Sequence, residues 1–137
     1  MTRVLRLLAI LAVILVAVLL LQQIAAESGE VVVLTTQASG ESHTTRLWIV
    51  EDQGEQYLRA GMPQSAWYQQ LLANPNVSLQ RGELERSYIA VPELVSVPRI
   101  NELMREKYGW ADAYIGFLFG RAESVPIRLD QAADTQR

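Results

Sequence analysis

Arg46 and Arg59 lie on either side of a turn-rich stretch, Glu51-Asp52-Gln53-Gly54, and the pairing around that stretch decides whether the two cations can act on one ligand. Thr44 to Val50 and Gln56 to Ala60 read as the two strands of a hairpin. With Asp52 and Gln53 as the loop, Arg46 faces Arg59 and Trp48 faces Tyr57. Like charges facing each other across an antiparallel pair are destabilising unless an anion sits between them, so this register makes a phosphate clamp beside aromatic rings. With Gly54 closing a three-residue loop and a bulge, the arginines go to opposite faces. Each is then a solvated strand residue near Glu41, Glu55 or Glu85.

Gly61-Met62-Pro63 ends the second of these strands, and Gln64 and Ser65 follow at once. Ser65 is placed to cap a short helix, Ala66 to Leu72, whose first-turn N–H groups favour an anion. Trp67 and Leu71 fall on one face of that helix and read as core. His43 is the only histidine. It has no nucleophile elbow near it and cannot build a metal site alone, so no metal is expected, and it reads as a strand-end residue with haem ligation as the residual alternative. Glu83 and Glu85 flank a turn and read as solvated rather than as a paired acid and base.

The elements that must position these residues follow from pattern and punctuation. Val31 to Thr36 is a β-branched run that reads as a strand buried on both faces, closed by the turn Ala38-Ser39-Gly40-Glu41. Asn74-Pro75 ends the short helix. Val77 to Gln80 and Ser87 to Val91 form a second hairpin about Gly82-Glu83. Ser96, with Pro98 in the first turn, opens a helix carrying Ile100, Leu103, Met104 and Lys107 at the helical period, and Gly109 stops it. Ser124 to Leu129 is a last strand, which Pro126 assigns to an edge or a bulge. Hairpins without βαβ alternation predict an α+β domain with a mostly antiparallel, curled sheet and two helices. The glycine-punctuated aromatic stretch Ala111 to Gly120 lines a site or buries a dimer surface.

Arg3 and Arg6 precede an unbroken apolar run, Leu7 to Leu21. As a helix, Val4 to Ala26 is roughly 34 Å long, enough to cross a bilayer. Two readings stay open, a retained anchor and a signal segment cleaved after Ala26, and the poor match to a small-residue cleavage pattern favours the anchor. In both, the cations before the run and Glu27 and Glu30 after it put the domain on the non-cytoplasmic side. The chain thus divides into residues 1–26, a domain over 27–130 and a polar tail, 131–137. Of 12 basic and 15 acidic residues only Arg3 and Arg6 precede the run, so the remainder is more acidic than the whole-chain net charge of −3. No nucleic-acid surface is expected. The absence of cysteine excludes disulfides, thiolate nucleophiles and Cys-ligated metals.

Leu34-Thr35-Thr36, Tyr57-Leu58-Arg59 and, above all, Ser65-Ala66-Trp67-Tyr68-Gln69-Gln70-Leu71-Leu72-Ala73-Asn74-Pro75-Asn76-Val77 resemble the split β-barrel superfamily of pyridoxamine-phosphate-oxidase-like and deazaflavin-dependent nitroreductase proteins. The resemblance covers about a third of the chain. It implies a flavin or deazaflavin in a groove of the barrel, commonly at a homodimer interface, with Arg46, Arg59, Gln64, Ser65 and Trp67 at the cofactor-binding positions. Tyr68 is then placed to donate a hydrogen bond to the acceptor. Deazaflavin-using members carry a cationic Gly-Arg/Lys-x-Ser/Thr-Gly turn where this chain has Gln37-Ala38-Ser39-Gly40, and an asparagine where it has Gln70. FMN is therefore the first expectation and deazaflavin the alternative.

Two functions from different classes follow. One is a membrane-tethered FMN- or deazaflavin-dependent oxidoreductase passing electrons to a small quinone-like or nitroaromatic acceptor. The other is a non-enzymatic split-barrel module that holds haem, a lipid or a partner protein at the membrane surface. The second gains from the outward topology, since in the family deazaflavin and its reductants belong to the cytoplasm.

Overall fold

The computed structural model describes residues 2–133. In chain order the elements are α1 (Thr2–Ala26), β1 (Val31–Ala38), β2 (Glu41–Asp52), β3 (Glu55–Ala60), α2 (Ala66–Ala73), β4 (Asn76–Arg81), β5 (Leu84–Pro92), a 3₁₀ turn (Leu94–Ser96), α3 (Val97–Tyr108), α4 (Trp110–Phe119) and β6 (Val125–Gln131). The six strands close into one antiparallel barrel in the ring order β1-β2-β3-β6-β5-β4. The architecture is α+β, a barrel with an apolar N-terminal helix, as the element order predicts.

The interior is filled by alternate residues of every strand, among them Val32, Leu34, Ile49, Leu58, Leu79, Tyr88, Ile127 and Leu129. Helix α2 contributes Trp67 and Leu71 to the same core, which is why these two recur at i and i+4. A fully buried leucine such as Leu71 stabilises by about 1.5–3 kcal/mol. Strand β1 is not buried on both faces: Val32, Leu34 and Thr36 are buried while Val31, Val33 and Thr35 are half-buried.

A second layer is formed by α3. Ile100, Met104 and Tyr108 pack with Val50 and Tyr57 on the outside of the barrel, flanked by Trp48 and Leu103. Trp48 and Tyr108 stack with ring centroids 4.3 Å apart and planes at 9°. Gly109 ends α3 with a φ of 53°, but Trp110 begins another helix, so the domain has α4 beyond the two helices expected. Gly116 does not break α4. A Cβ there would lie 3.4 Å from Arg121 Nε, an ordinary contact, so the Arg121 side chain lies over that turn without requiring a glycine.

Pro126 is in neither an edge strand nor a bulge, because a closed barrel has no edge. Its carbonyl accepts the Glu93 N–H at 2.9 Å, just beyond Pro92, where the β5–β6 ladder ends. A residue's N–H and C=O point to the same side of a strand, so the donor that proline lacks falls where no ladder bond is needed.

Ser65 and Ser96 occupy N-cap positions without side-chain capping bonds. The Ser96 hydroxyl instead donates to the Glu93 carboxylate.

Candidate functional site

The β2–β3 turn is Gln53-Gly54, with φ values of 52° and 81°. This is the type I′ geometry that matches the right-handed twist of the strands. Ile49 therefore pairs with Leu58 and Val50 with Tyr57, a register that neither expected loop produces. Arg46 lies beyond the end of β3 and pairs with Val33 of β1, so the two arginines do not face each other and no clamp forms between them. Their carboxylate partners also differ from those expected. Arg46 is exposed and ion-paired to Glu27 at 2.6 Å, and Arg59 is buried and ion-paired to Asp112 of α4 at 2.5 Å.

Arg59 anchors a buried polar cluster. It donates to Asn101 Oδ1 at 3.1 Å and to Asp112 Oδ1 at 2.5 Å. Arg121 donates to the same Asp112 oxygen at 2.7 Å and to the Asp112 carbonyl at 2.9 Å. Asn101 and the Ser124 hydroxyl exchange bonds at 3.1 and 3.2 Å. Burial is the main force lowering the pKa of Arg59, offset by its bond to Asp112 and reinforced by the neighbouring charge of Arg121. Two guanidiniums share one carboxylate, so the cluster carries one positive charge more than it neutralises locally.

A cleft of about 180 Å³ opens on this cluster, lined by Ala26, Leu47, Trp48, Arg59, Gly61, Met104, Ile115 and Arg121. Its floor is the outer face of β2 and β3, and its walls come from α3, α4 and the end of α1. Apolar walls with two convergent cations suit a planar ring bearing oxygens that take negative charge. The volume is below the roughly 300 Å³ at which pockets for whole cofactors begin.

The residues singled out by sequence do not all converge. Arg59 reaches the cleft, and Gln64 and Ser65 follow its rim at Gly61. Trp67 is in the barrel core, 7% exposed, and Tyr68 packs half-buried against that core. Arg46 is beside the end of α1. Asp112 and Arg121 are cluster residues that the sequence did not single out, whereas Trp48, expected as an aromatic ring beside the arginines, lines the cleft. The one available signal was Asp112 itself, a lone charge in the apolar run Trp110 to Phe119.

A second opening, about 310 Å³, lies at one mouth of the barrel and is lined by Glu51, Gln56, Arg81, Arg86 and Tyr88, among others. Arg81 there is held by Glu30 and Glu51. Among the described residues no cluster of three or more His, Cys, Asp or Glu side chains is placed to hold a metal ion.

No protein of curated function matches the sequence significantly. Among solved structures, an F420-H2 dependent reductase, FDR-A, is 28% identical, with a TM-score of 0.58 over 72% of this chain and 93% of that one. A Listeria innocua protein named for pyridoxamine 5′-phosphate oxidase is 20% identical, with a TM-score of 0.54 over 80% of this chain and 91% of its own. A structure described as a domain-swapped dimer is 21% identical, with a TM-score of 0.57 over 74% and 80%. These likenesses fit the split barrel that the Trp67 to Val77 segment resembles. Residues 15–129, most of the chain, match the F420H(2)-dependent quinone reductase family, and the protein belongs to that family.

Proposed function

We propose that this chain is a membrane-tethered oxidoreductase that uses a deazaflavin of the F420 type to reduce a quinone-like acceptor. The observation that carries the reading is the Arg59–Asp112–Arg121 cleft, apolar-walled and bordered by the end of α1, in a member of a quinone reductase family. The cleft fits the ring of such a cofactor: Leu47, Trp48, Met104 and Ile115 would flank it and Arg59 and Arg121 would face its polar edge. Gln64 and Ser65, at the start of α2, would take the phosphate. A bound reduced deazaflavin supplies a hydride to the acceptor. The chain's own part is to orient the acceptor, exclude water, and stabilise negative charge on an acceptor oxygen through the unbalanced charge of the arginine pair. Family membership favours deazaflavin over FMN, and Tyr68 remains the proposed hydrogen-bond donor.

The anchor reading of α1 gains from its contacts. Ala25 is fully buried, the Trp48 indole N–H donates to the Ala26 carbonyl at 2.9 Å, and Arg46 holds Glu27. Cleavage after Ala26 would discard two of these three. We place the domain on the non-cytoplasmic side from the flanking charges. The related domain-swapped dimer supports a homodimeric assembly.

Titration of the full chain with F420, FMN and riboflavin, followed by fluorescence, tests the cofactor. F420 should bind most tightly, riboflavin least, and Arg59→Ala should weaken F420 by about 1.5–3 kcal/mol, the worth of a hydrogen bond to a charged group. Equal, weak affinity for all three would favour the second reading, a binding module without cofactor. A specific observation favours that alternative: both Arg46 and Arg59 already hold carboxylates.

A further inference from the structure

Helix α4 carries one charged residue, Asp112, and it is turned inward onto Arg59 and Arg121. Trp110, Ala113 and Phe117 lie at i, i+3 and i+7, on one stripe. All three are exposed, Phe117 at 87% and Trp110 at 55%. A water-facing helix of ten residues without a single outward charge is unusual for a domain as acidic as this one. Scattered exposed apolar residues need no explanation, but a contiguous apolar stripe with two large aromatic rings marks an interaction surface.

The position of α4 says what the surface meets. It packs along α1, the single described helix long and apolar enough to cross a membrane. The Tyr114 hydroxyl donates to the Val18 carbonyl at 3.1 Å. Val18 lies eight residues before the end of α1, about 12 Å along the helix axis. It is also four residues inside Gln22, the first polar residue at that end of the apolar run. Thr2–Ala26 would be about 37 Å long, against about 30 Å of hydrocarbon. With Gln22 and Gln23 at the headgroups, Tyr114 lies at the boundary where tyrosine and tryptophan concentrate.

We infer that α4 is an interfacial membrane-docking helix, with Trp110 and Phe117 seated in the boundary between headgroups and acyl chains of the same leaflet from which α1 emerges. The occupant is a lipid bilayer and not an anionic lipid in particular, because α4 offers no cation. The cleft rim formed by Ala26 and Ile115 then lies at that boundary, and a lipid-soluble acceptor reaches it sideways from the bilayer. The inference rests on α1 being a retained span.

The absence of cysteine makes the test direct. Full-length Phe117→Cys and, as a control at the β4–β5 turn, Glu83→Cys are labelled with an NBD fluorophore and reconstituted into phosphatidylcholine vesicles. Nitroxide groups are carried either on the lipid or on a soluble quencher. The Phe117→Cys probe should emit to the blue of the control and be quenched several-fold more by lipid nitroxide. Quenching by the soluble agent alone would overturn the inference. Blue emission without lipid quenching would overturn it equally, because a second copy of the chain would then cover the stripe. Intact mass and alkaline extraction of the same samples separate the two levels of the argument. A processed, extractable chain removes the span and the docking together. An intact, unextractable chain whose probe sits in water removes only the docking.

Discussion

The Tyr108 hydroxyl donates to the Glu30 carbonyl at 2.6 Å and accepts the Ile49 N–H at 3.0 Å, so one buried phenol ties the stretch leaving α1 to the middle of β2. Gly29 accommodates this contact. At φ +72° a side chain there would be strained, and its Cβ would meet the Tyr108 ring at 3.1 Å. Tyr108→Phe should keep the Trp48 stack but leave two buried backbone groups unpaired, costing about 1–3 kcal/mol. Thermal unfolding in detergent measures it. An unchanged midpoint would mean water replaces the hydroxyl.

Asp112 compensates Arg59, whose side chain is 5% exposed. Asp112→Leu should therefore cost about 3–5 kcal/mol by leaving a buried charge unpaired, while the double variant Arg59→Met/Asp112→Leu should recover most of it. Equal unfolding midpoints for the single and double variants would show that the Asn101 carbonyl oxygen or solvent takes over from Asp112 in holding Arg59.

Glu30 should govern acid stability. The Arg81 guanidinium, and after it the Lys107 ammonium, pull its carboxyl from 4.5 to about 2 against the opposing effect of partial burial. The folded pKa lies below the unfolded one, so the stabilisation is complete above about pH 4.5 and is lost as pH falls through about 2. About a third of the side chain is exposed, and solvent screening reduces the contribution to about 1 kcal/mol. Glu30→Gln should flatten that part of the stability–pH curve, and an unaltered slope would assign it to other carboxylates.

Topology is read by a reporter fused after the C terminus. A reporter active only outside the cytoplasm is expected from Arg3 and Arg6. Activity only of a cytoplasmic reporter would reverse the orientation and set the domain beside the cell's reduced cofactors.

Light scattering of the detergent-solubilised full chain should give the mass of two copies. A single copy at tens of micromolar would count against an interface shared between protomers.

Much of the barrel was legible because its signals are local. β-branched runs, Gly40 and Gly82 at turns, Asn74-Pro75 after α2, and Trp67 with Leu71 on one face each act within a few residues. The β2–β3 register was not, because Gln53 adopts a positive φ that its type does not advertise. Helix α4 was hidden by Gly109, Gly116 and Gly120, which together look like a loop. Packing of α4 against α1 and α3, which no local signal reports, accompanies the helical state of Gly116. The candidate site was legible in part, through Arg59 and Trp48. Its partners Asn101, Asp112 and Arg121 come from elements more than forty residues away along the chain, a distance that spacing rules do not span.

The barrel also has a mechanical grain. β1 joins β2 through eight paired positions but β4 through only three, and β1 is the strand tethered to α1. A pull transmitted along the tether is carried in shear by the long β1–β2 ladder and by Tyr108. The short β1–β4 seam is the line along which the ring would peel open.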